Sequence, residues 1–507
     1  MTGGSTDPVE LQVILGALRA ACEEMGAVLI RAAHSPNIKE RRDASCALFD
    51  PEGRMIMQAE HIPVHLGAMP AAVAAVREEE HRRDRSWILN DPFAGGTHLP
   101  DITVITPAFA GEDDQARAQM LGFAACRAHH ADVGGPTPGS MPADSASLEE
   151  EGVVIAPQPL DASAIDRLVA GMRQPAQRRA DLRAQLAANR TGVARLMELH
   201  RRVGEGTLAQ ATAEVRAYAE RRTRACLASL PDGVRTARDV LEAREGDLEL
   251  RLEATVSGDE LLLDFTGSAL QHGGNLNCPL AVTRSACYFA LRVLTDPDIP
   301  PSAGAYEPVE VLAPEGSLLN ARPPAAVVAG NVETSSRVAD LVLAAFGRAL
   351  GQGTMNNLTL GSEAFTYYET LGGGQGACPE ADGPTGVHVA MSNTLNTPVE
   401  ALELELPLRV SEYSVRRGSG GAGTCHRGGD GVVRELEALE PMGFSLLTER
   451  RRHPPPGARG GAPGARGRNL LGGEELPAKA SGRLEPGQRL RIETPGGGGL
   501  GGEGDMS

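Results

Sequence analysis

The stretch HLPDITVITPAFAGEDDQARAQMLGFAACRAHHAD, residues 98–132, contains two apolar, β-branched runs separated by a polar, acidic turn. The runs at 102–110 and 117–128 have the length of strands, and the turn is centred on Asp113 and Asp114. This pattern predicts an antiparallel hairpin. Hairpins alternating with separate helical runs are typical of an α+β fold with mixed antiparallel sheets, rather than of one doubly wound sheet.

The predicted hairpin brings two polar motifs together at its open end. Paired positions in it sum to about 228, within two, which places His98 near His130. The same register places Asp101 near Arg127. Successive strand residues face opposite sides, so we expect one of His129 and His130 to join His98 and Asp101.

Two imidazoles and one carboxylate are a common ligand set for Zn, Mn or Fe, and they leave coordination positions open for catalysis. The sequence therefore predicts a divalent metal site formed by His98, Asp101 and either His129 or His130. The same residues also suit a hydrogen-bond network without a metal, in which Asp101 orients a histidine.

Further polar side chains are candidates for the same site, although each also has a structural explanation. His61 and His65 are candidate general acids or bases, because imidazole titrates near neutral pH; a buried core histidine and a surface histidine are the alternative. Arg41 and Asp43 either orient a substrate or pair their charges at the surface. The remaining candidate substrate-binding residues are Thr97 and Ser140.

Composition excludes several classes of function. The 507 residues carry 49 basic and 66 acidic side chains, a net charge of −17, so nucleic acid and anionic membranes are poor partners. No apolar run reaches the roughly 20 residues of a membrane span, and the polar first twelve residues predict no signal peptide. Eight scattered cysteines without a CxxC pair favour reduced thiols in a cytoplasm. Lys39 and Lys479 are the only lysines, and neither stands in a Walker A motif, so ATP is expected on another subunit.

The remaining pattern divides the chain into three predicted parts: a mixed N-terminal domain (1–160), a helical region (161–235) and a mixed to β-rich C-terminal domain (236–507). Outside the middle region, helices are predicted at 7–33, 67–79, 279–294 and 333–350, a hairpin at 248–267 and a strand at 399–410. Glycine- and proline-rich stretches at 418–431, 453–467 and 494–504 are either linkers or ordered loops, and the apolar runs between them favour ordered loops.

Several strings resemble the hydantoinase B/oxoprolinase family along nearly the whole chain. They include SPNIKERRDASCALFDPEGRMIMQAEHIPVHLGAM, LNDPFAGGTHLPDITVITPAF, CRAHHADVGGPTPGSMPADS and RIETPGGGGLGG. The resemblance implies a metal held by the HxxD and HH motifs, at His98, Asp101 and one of His129 or His130. It also implies a partner subunit of the hydantoinase A type that binds ATP.

The activity implied by the resemblance is ATP-dependent hydrolysis of a cyclic amide such as hydantoin, N-methylhydantoin or 5-oxoproline. The partner would phosphorylate the carbonyl oxygen, and the metal would activate water or polarise the substrate. A subunit of an acetone- or acetophenone-type carboxylase is an alternative within the family, and a non-catalytic scaffold is a second one. Phe93 stands where the family pattern suggests tyrosine, which leaves the substrate open.

Overall fold

The computed structural model describes residues 7–60, 62–111, 119–204 and 206–502. Its helices are α1 (Pro8–Ala32), α2 (Pro36–Lys39), α3 (Ala68–Ala74), α4 (Ala162–Val169), α5 (Pro175–Val203), α6 (Thr207–Leu227), α7 (Leu280–Leu294), α8 (Ser335–Ala345) and α9 (Val399–Glu405). The candidate residue His61 and the predicted turn at Asp113 and Asp114 lie outside the described residues.

The strands of the N-terminal half are β1 (Ala44–Phe49), β2 (Met55–Glu60), β3 (Ser86–Leu89), β4 (Asp101–Phe109), β5 (Met120–His129), β6 (Gln158–Leu160), β7 (Gly233–Ala243), β8 (Gly246–Ser257), β9 (Glu260–Asp264) and β10 (Val309–Leu312). Those of the C-terminal part are β11 (Asn357–Gly361), β12 (Thr366–Glu369), β13 (Leu408–Arg416), β14 (Gly431–Ala438), β15 (Met442–Leu447), β16 (Arg468–Leu471), β17 (Glu474–Leu476), β18 (Lys479–Leu484) and β19 (Arg489–Glu493).

These elements form an α+β fold, as predicted. A six-stranded antiparallel sheet has the order β2-β1-β5-β4-β3-β6, and the predicted hairpin forms its two central strands β5 and β4. Three further sheets have the orders β10-β9-β8-β7, β12-β11-β15-β18 and β13-β14-β19-β16-β17. The division into three domains stays a prediction.

The six-stranded sheet separates two hydrophobic cores, because its strands alternate between them. Cys46, Leu48 and Val104 face the core that contains α1 and α5. Phe49 and Ile105 face the core that contains α7 and α8. Residues of odd number in β4 therefore point towards α7 and α8, which decides on which side the candidate metal ligands lie.

Helix α1 begins where its sequence predicts. Asp7 accepts a hydrogen bond from the backbone N–H of Val9 at 2.9 Å, and Pro8 occupies the first turn. Helix α5 fastens itself to the sheet through buried amides. The side chain of Gln185 donates to the carbonyl of Ile102 at 2.9 Å. The buried surface of α5 thus includes polar groups that bind the hairpin.

The predicted helical region consists of α4, α5 and α6, as expected. The prediction of a strand over 399–410 is wrong in its first half, which forms α9 before β13 begins at Leu408. Leu and Glu alternate there with the period of a strand, but Ala, Leu and Glu are also strong helix formers. Pro398 precedes α9, and Leu402 is the residue that the helix buries.

The glycine-rich stretches are ordered and pack backbone against backbone. Gly497 donates to the carbonyl of Gly429 at 2.9 Å and accepts from Gly421 at 2.8 Å. A Cβ atom at Gly497 would lie 2.0 Å from the carbonyl oxygen of Gln375. Side chains are therefore excluded from this bundle, and the expectation of ordered loops is confirmed over its described part.

Two further expectations concern cysteines and membranes. The eight cysteines are free thiols, and burial raises the pKa of Cys46 to about 12, as expected of an inert thiol. Across the described ranges, each helix is too short or too polar to cross a bilayer.

Candidate metal centre

The register of the central hairpin differs by two positions from the predicted one. Asp101 lies opposite His129, and Thr103 lies opposite Arg127, so the expected pairing of Asp101 with Arg127 is wrong. The ladder shifts between Ala108 and Phe109. A shift by two residues keeps every side chain on its predicted face but changes its neighbour.

Three side-chain atoms at the open end of the hairpin form a triangle with equal edges. His98 Nε2 and His129 Nδ1 each lie 3.2 Å from Asp101 Oδ1, and the two nitrogens are 3.2 Å apart. All three residues are buried. Hydrogen bonds alone serve this arrangement poorly, because two imidazole nitrogens compete for the same carboxylate oxygen while facing each other.

A cation fits this triangle. Ligand atoms about 2.1 Å from a metal, at angles between octahedral and tetrahedral values, are separated by roughly 3.0–3.4 Å. The donor set of two imidazoles and one carboxylate is one that Zn, Mn and Fe accept. His98, Asp101 and His129 thus form a possible metal-binding triad.

The second oxygen of Asp101 is held by groups outside the triangle. Thr97 Oγ1 donates to Asp101 Oδ2 at 2.5 Å, and His65 Nε2 lies 3.4 Å from the same oxygen. Burial alone would raise the pKa of Asp101, but the charge of His98 and hydrogen bonds from the surrounding imidazoles outweigh burial and hold the pKa well below its usual range. The carboxylate is therefore kept ionised. Thr97, predicted to bind substrate, instead orients Asp101.

His129 is fixed by an aromatic stack. Its ring lies on the ring of Tyr368 at 4.6 Å between centroids, with an interplanar angle of 12°. The guanidinium of Arg41 lies 4.6 Å from the centroid of Tyr368 and donates to the backbone carbonyl of Tyr368 at 2.8 Å. Arg41 also donates to Thr370 Oγ1. The described contacts of Arg41 thus support the wall of the site.

His130 points away from the triad. Its Nε2 lies 2.9 Å from Gln185 Oε1 on α5, across the sheet from Asp101. Burial lowers the pKa of His130 to about 4, so the ring is neutral at physiological pH. The alternative left open by the sequence is therefore resolved geometrically in favour of His129, and the inclusion of His130 among the ligands is corrected.

A cavity of about 320 Å³ opens beside the triad. It is lined by Asp43, Ile62, Val64, His98, Asp101, His129, Asn331, Val332, Met355, Tyr368, Thr370, Met391, Ser392 and Thr394. Asp43, predicted to bind substrate, thus adds a second carboxylate to the wall. Ser140 lies elsewhere, since its hydroxyl accepts from Val133 N–H and donates to the Gly134 carbonyl.

Comparison with known proteins agrees with this architecture. The profile of the hydantoinase B/oxoprolinase family matches residues 7–503. The chain belongs to this family. A relative, 5-oxoprolinase 1 of Arabidopsis thaliana, is 40% identical over 535 residues, which cover 98% of this chain and 42% of that protein.

Two further relatives of this hydantoinase B/oxoprolinase chain match over most of their own length. A protein of Pseudomonas sp. (strain NS671), whose name assigns it to a D-/L-hydantoinase as one of the subunits, is 29% identical over 98% of this chain and 90% of its own. The crystal structure of the ATP-dependent caprolactamase from Pseudomonas jessenii superimposes with a TM-score of 0.91, at 28% identity, over 98% of this chain and 92% of that one.

Some cavity residues come from the second half of this hydantoinase B/oxoprolinase chain and were not predicted from its sequence. Asn331, Tyr368, Ser392 and Thr394 are more than 200 residues from the hairpin. Their local spacing resembles no ligand motif. The signal that could have drawn attention to them is the polar run GNVETSS at 330–336, which interrupts an otherwise apolar helical pattern.

Proposed function

We propose that this chain is the metal-binding subunit of an ATP-dependent cyclic-amide hydrolase acting on substrates such as 5-oxoproline or hydantoin. The observation that carries the proposal is the equilateral triangle of His98, Asp101 and His129 at the cavity wall. The names of the three relatives, each an enzyme of cyclic amides, support it.

The reaction requires both activation and water. Ring opening breaks the bond between the carbonyl carbon and nitrogen, and water supplies OH to the carbon and a proton to the nitrogen. Amide resonance opposes attack on that carbon, so cleavage of a phosphoanhydride of ATP supplies the driving force. A Zn, Mn or Fe ion held by the triad would supply Lewis acidity, for activating water or polarising an oxygen.

Proton transfer is assigned to residues that adjoin the triad. His65 Nδ1 lies 2.9 Å from Ser45 Oγ, which leaves Nε2 directed towards Asp101. An imidazole with one anchored nitrogen is suited to carry a proton at the other. Asp43 lines the cavity as a second carboxylate and is a candidate proton acceptor. His61 stays a prediction, because it lies outside the described residues.

ATP is assigned to a partner of the hydantoinase A type. Lys479 is engaged inside the protein, because its ammonium donates to Glu449 and to the backbone carbonyl of Glu242. The Arabidopsis relative is more than twice as long as this chain, so a single polypeptide there contains additional sequence. A separate ATP-binding subunit for this chain is consistent with that arrangement.

The direct test combines the purified chain with its partner subunit, ATP and each of 5-oxoproline, hydantoin and N-methylhydantoin. The proposal expects phosphate release that depends on one of these substrates, together with its ring-opened product. It also expects His98→Ala to abolish the product. Phosphate release that requires bicarbonate and a ketone would identify a carboxylase instead, and full activity of His98→Ala would identify a scaffold.

A further inference from the structure

One wall of the cavity is a π-helical turn, Gly330–Thr334, which leads into α8. Turns of this kind are rare and are found frequently at functional sites. Gly330 N–H donates to the carbonyl of Asn275 at 2.9 Å. A Cβ atom at Gly330 would lie 1.8 Å from the carbonyl oxygen of Asn277. The turn is thus pressed against a neighbouring loop, which fixes the position of the next residue, Asn331.

The side chain of Asn331 lacks a partner at its oxygen. Asn331 is 2% exposed and lines the cavity together with all three residues of the triad. Among the described residues, nothing donates to its Oδ1. A buried acceptor without a donor costs about 1–3 kcal/mol, so its retention at a cavity wall points to a ligand that supplies the missing donor.

Other uncharged polar side chains of the same wall are already paired. Thr370 and Thr394 bond each other through their hydroxyls at 2.5 Å. Ser392 Oγ lies 2.8 Å from His388 Nδ1, and Tyr368 donates to the side-chain oxygen of Asn357 at 2.5 Å. Within the described wall, Asn331 is therefore the neutral acceptor left for a ligand.

We propose that Asn331 determines specificity by accepting a hydrogen bond from the ring N–H of the cyclic amide. This inference rests on the proposed function and narrows its substrate class to rings with an unsubstituted amide nitrogen. A cyclic amide carries its carbonyl and N–H on adjacent atoms, so a ring that turns its carbonyl towards the triad presents the N–H to the same wall. Methylation of that nitrogen removes the donor and leaves Oδ1 unpaired.

The size of the effect follows from the hydrogen bond. Leaving one neutral buried acceptor unpaired corresponds to about a 10- to 100-fold loss in kcat/KM. We therefore expect the wild-type complex to prefer 5-oxoproline over its N-methyl derivative by at least that factor. Asn331→Ala should lower kcat/KM for 5-oxoproline and leave that for the N-methyl derivative within about twofold, which reduces the preference towards one.

The experiment measures kcat/KM of the complex with its partner, for both substrates, in wild type, Asn331→Ala, Asn331→Asp and Ser392→Ala. Asn331→Asp retains an acceptor and should retain the preference. Ser392→Ala is the matched control, because the hydroxyl it removes is already paired, and it should keep the substrate ratio whatever its effect on rate. The melting temperature of Asn331→Ala should not fall, since no described bond of Oδ1 is lost.

Two results would overturn the inference while leaving the proposed function intact. One is a wild-type complex that opens both rings equally well. The other is an Asn331→Ala variant that loses activity equally on both, which is the signature of a merely structural role. If the wild type opens no cyclic amide in the presence of ATP, the proposed function and this inference fall together.

Discussion

Asp101 shows how two oxygens of one carboxylate are given separate tasks. Oδ1 faces His98 and His129 at 3.2 Å, whereas Oδ2 accepts from Thr97. Fixing the second oxygen fixes the direction of the first, in the way that outer groups orient metal ligands in known sites. The stack of His129 on Tyr368 does the same for an imidazole.

The stack leads to a prediction about metal affinity. Tyr368→Leu removes the aromatic face beneath His129 and should weaken metal binding about tenfold or more, since changes to groups that orient ligands typically cost 10- to 100-fold. Tyr368→Phe keeps the ring and removes only the hydroxyl that donates to Asn357, so its affinity should stay within about threefold of wild type. Titration against a chelator measures both. Equal losses in the two variants would show that the stack does not position His129.

A second prediction concerns Glu151, which is buried away from the triad. Its carboxylate accepts from the backbone N–H groups of Val327 and Val328 and from Ser145. Burial outweighs these bonds and raises the pKa of Glu151 to about 8, above an ordinary value of about 4.3. The stability contributed by this group is therefore complete below about pH 4.3 and is lost as the pH rises through about 8.

Replacement by the neutral isostere should remove this dependence. Glu151→Gln is expected to show a smaller fall in melting temperature between pH 6 and pH 9 than wild type, with a difference on the order of a few kcal/mol at the higher pH. Glu149→Gln, at an exposed position two residues away, is the control and should follow wild type. Parallel curves for Glu151→Gln and wild type would contradict the raised pKa.

At the scale of elements, the sequence predicted those features that depend on nearby residues. The cap of α1, the hairpin around β8 and β9 and the two central strands of the sheet all follow from local patterns. The metal ligands His98 and Asp101 were predicted because the hairpin joins them. The choice between His129 and His130 depended on the register, which the irregularity at Ala108 and Phe109 shifts by two. A local pattern does not count bulges.

Features that depend on distant segments escaped prediction for a different reason. Asn331 and Tyr368 reach the cavity because α8 and β12 pack against the hairpin, and nothing in their own neighbours in sequence records that contact. Similarly, glycine-rich stretches carry no hydrophobic period. Their packing becomes apparent only when several are brought together, as around Gly497.

The glycine bundle gives a prediction about stability. Gly497→Ala would place a Cβ atom 2.0 Å from the backbone oxygen of Gln375, so we expect a loss of about 3 kcal/mol or more, seen as a lower melting temperature or as insoluble protein. Gly16→Ala is the control, because Gly16 lies in α1 with nothing within 4 Å of the added atom. Alanine there should stabilise the protein by about 0.5–1 kcal/mol. Equal tolerance at both positions would contradict the close packing.

At the scale of the whole molecule, the chain spans about 42% of the length of its Arabidopsis relative. The part described contains a cavity with a ligand triad, while ATP handling is assigned to a partner. The cavity itself is built from both halves of the chain, with the hairpin on one side and residues 331–394 on the other. We infer that the metal chemistry belongs to this chain and that the energy supply comes from outside it.

That division predicts the behaviour of the isolated chain. Without a partner, the chain should hydrolyse no ATP, with or without a cyclic amide, while it retains its bound metal. Adding the partner should make ATP hydrolysis dependent on the cyclic amide. Phosphate release measured with each subunit alone and with both tests this. ATP hydrolysis by the isolated chain would place nucleotide chemistry in this subunit and contradict the division.

The metal centre itself is tested by the metal content of three purified proteins: wild type, His129→Gln and His130→Gln. Glutamine is of similar size, so both variants can retain their packing, and circular dichroism checks that they do. We predict about one Zn, Mn or Fe ion per chain in wild type and in His130→Gln, and loss of that ion in His129→Gln. A wild type without metal, or loss of metal in His130→Gln but not in His129→Gln, would contradict the triad of His98, Asp101 and His129.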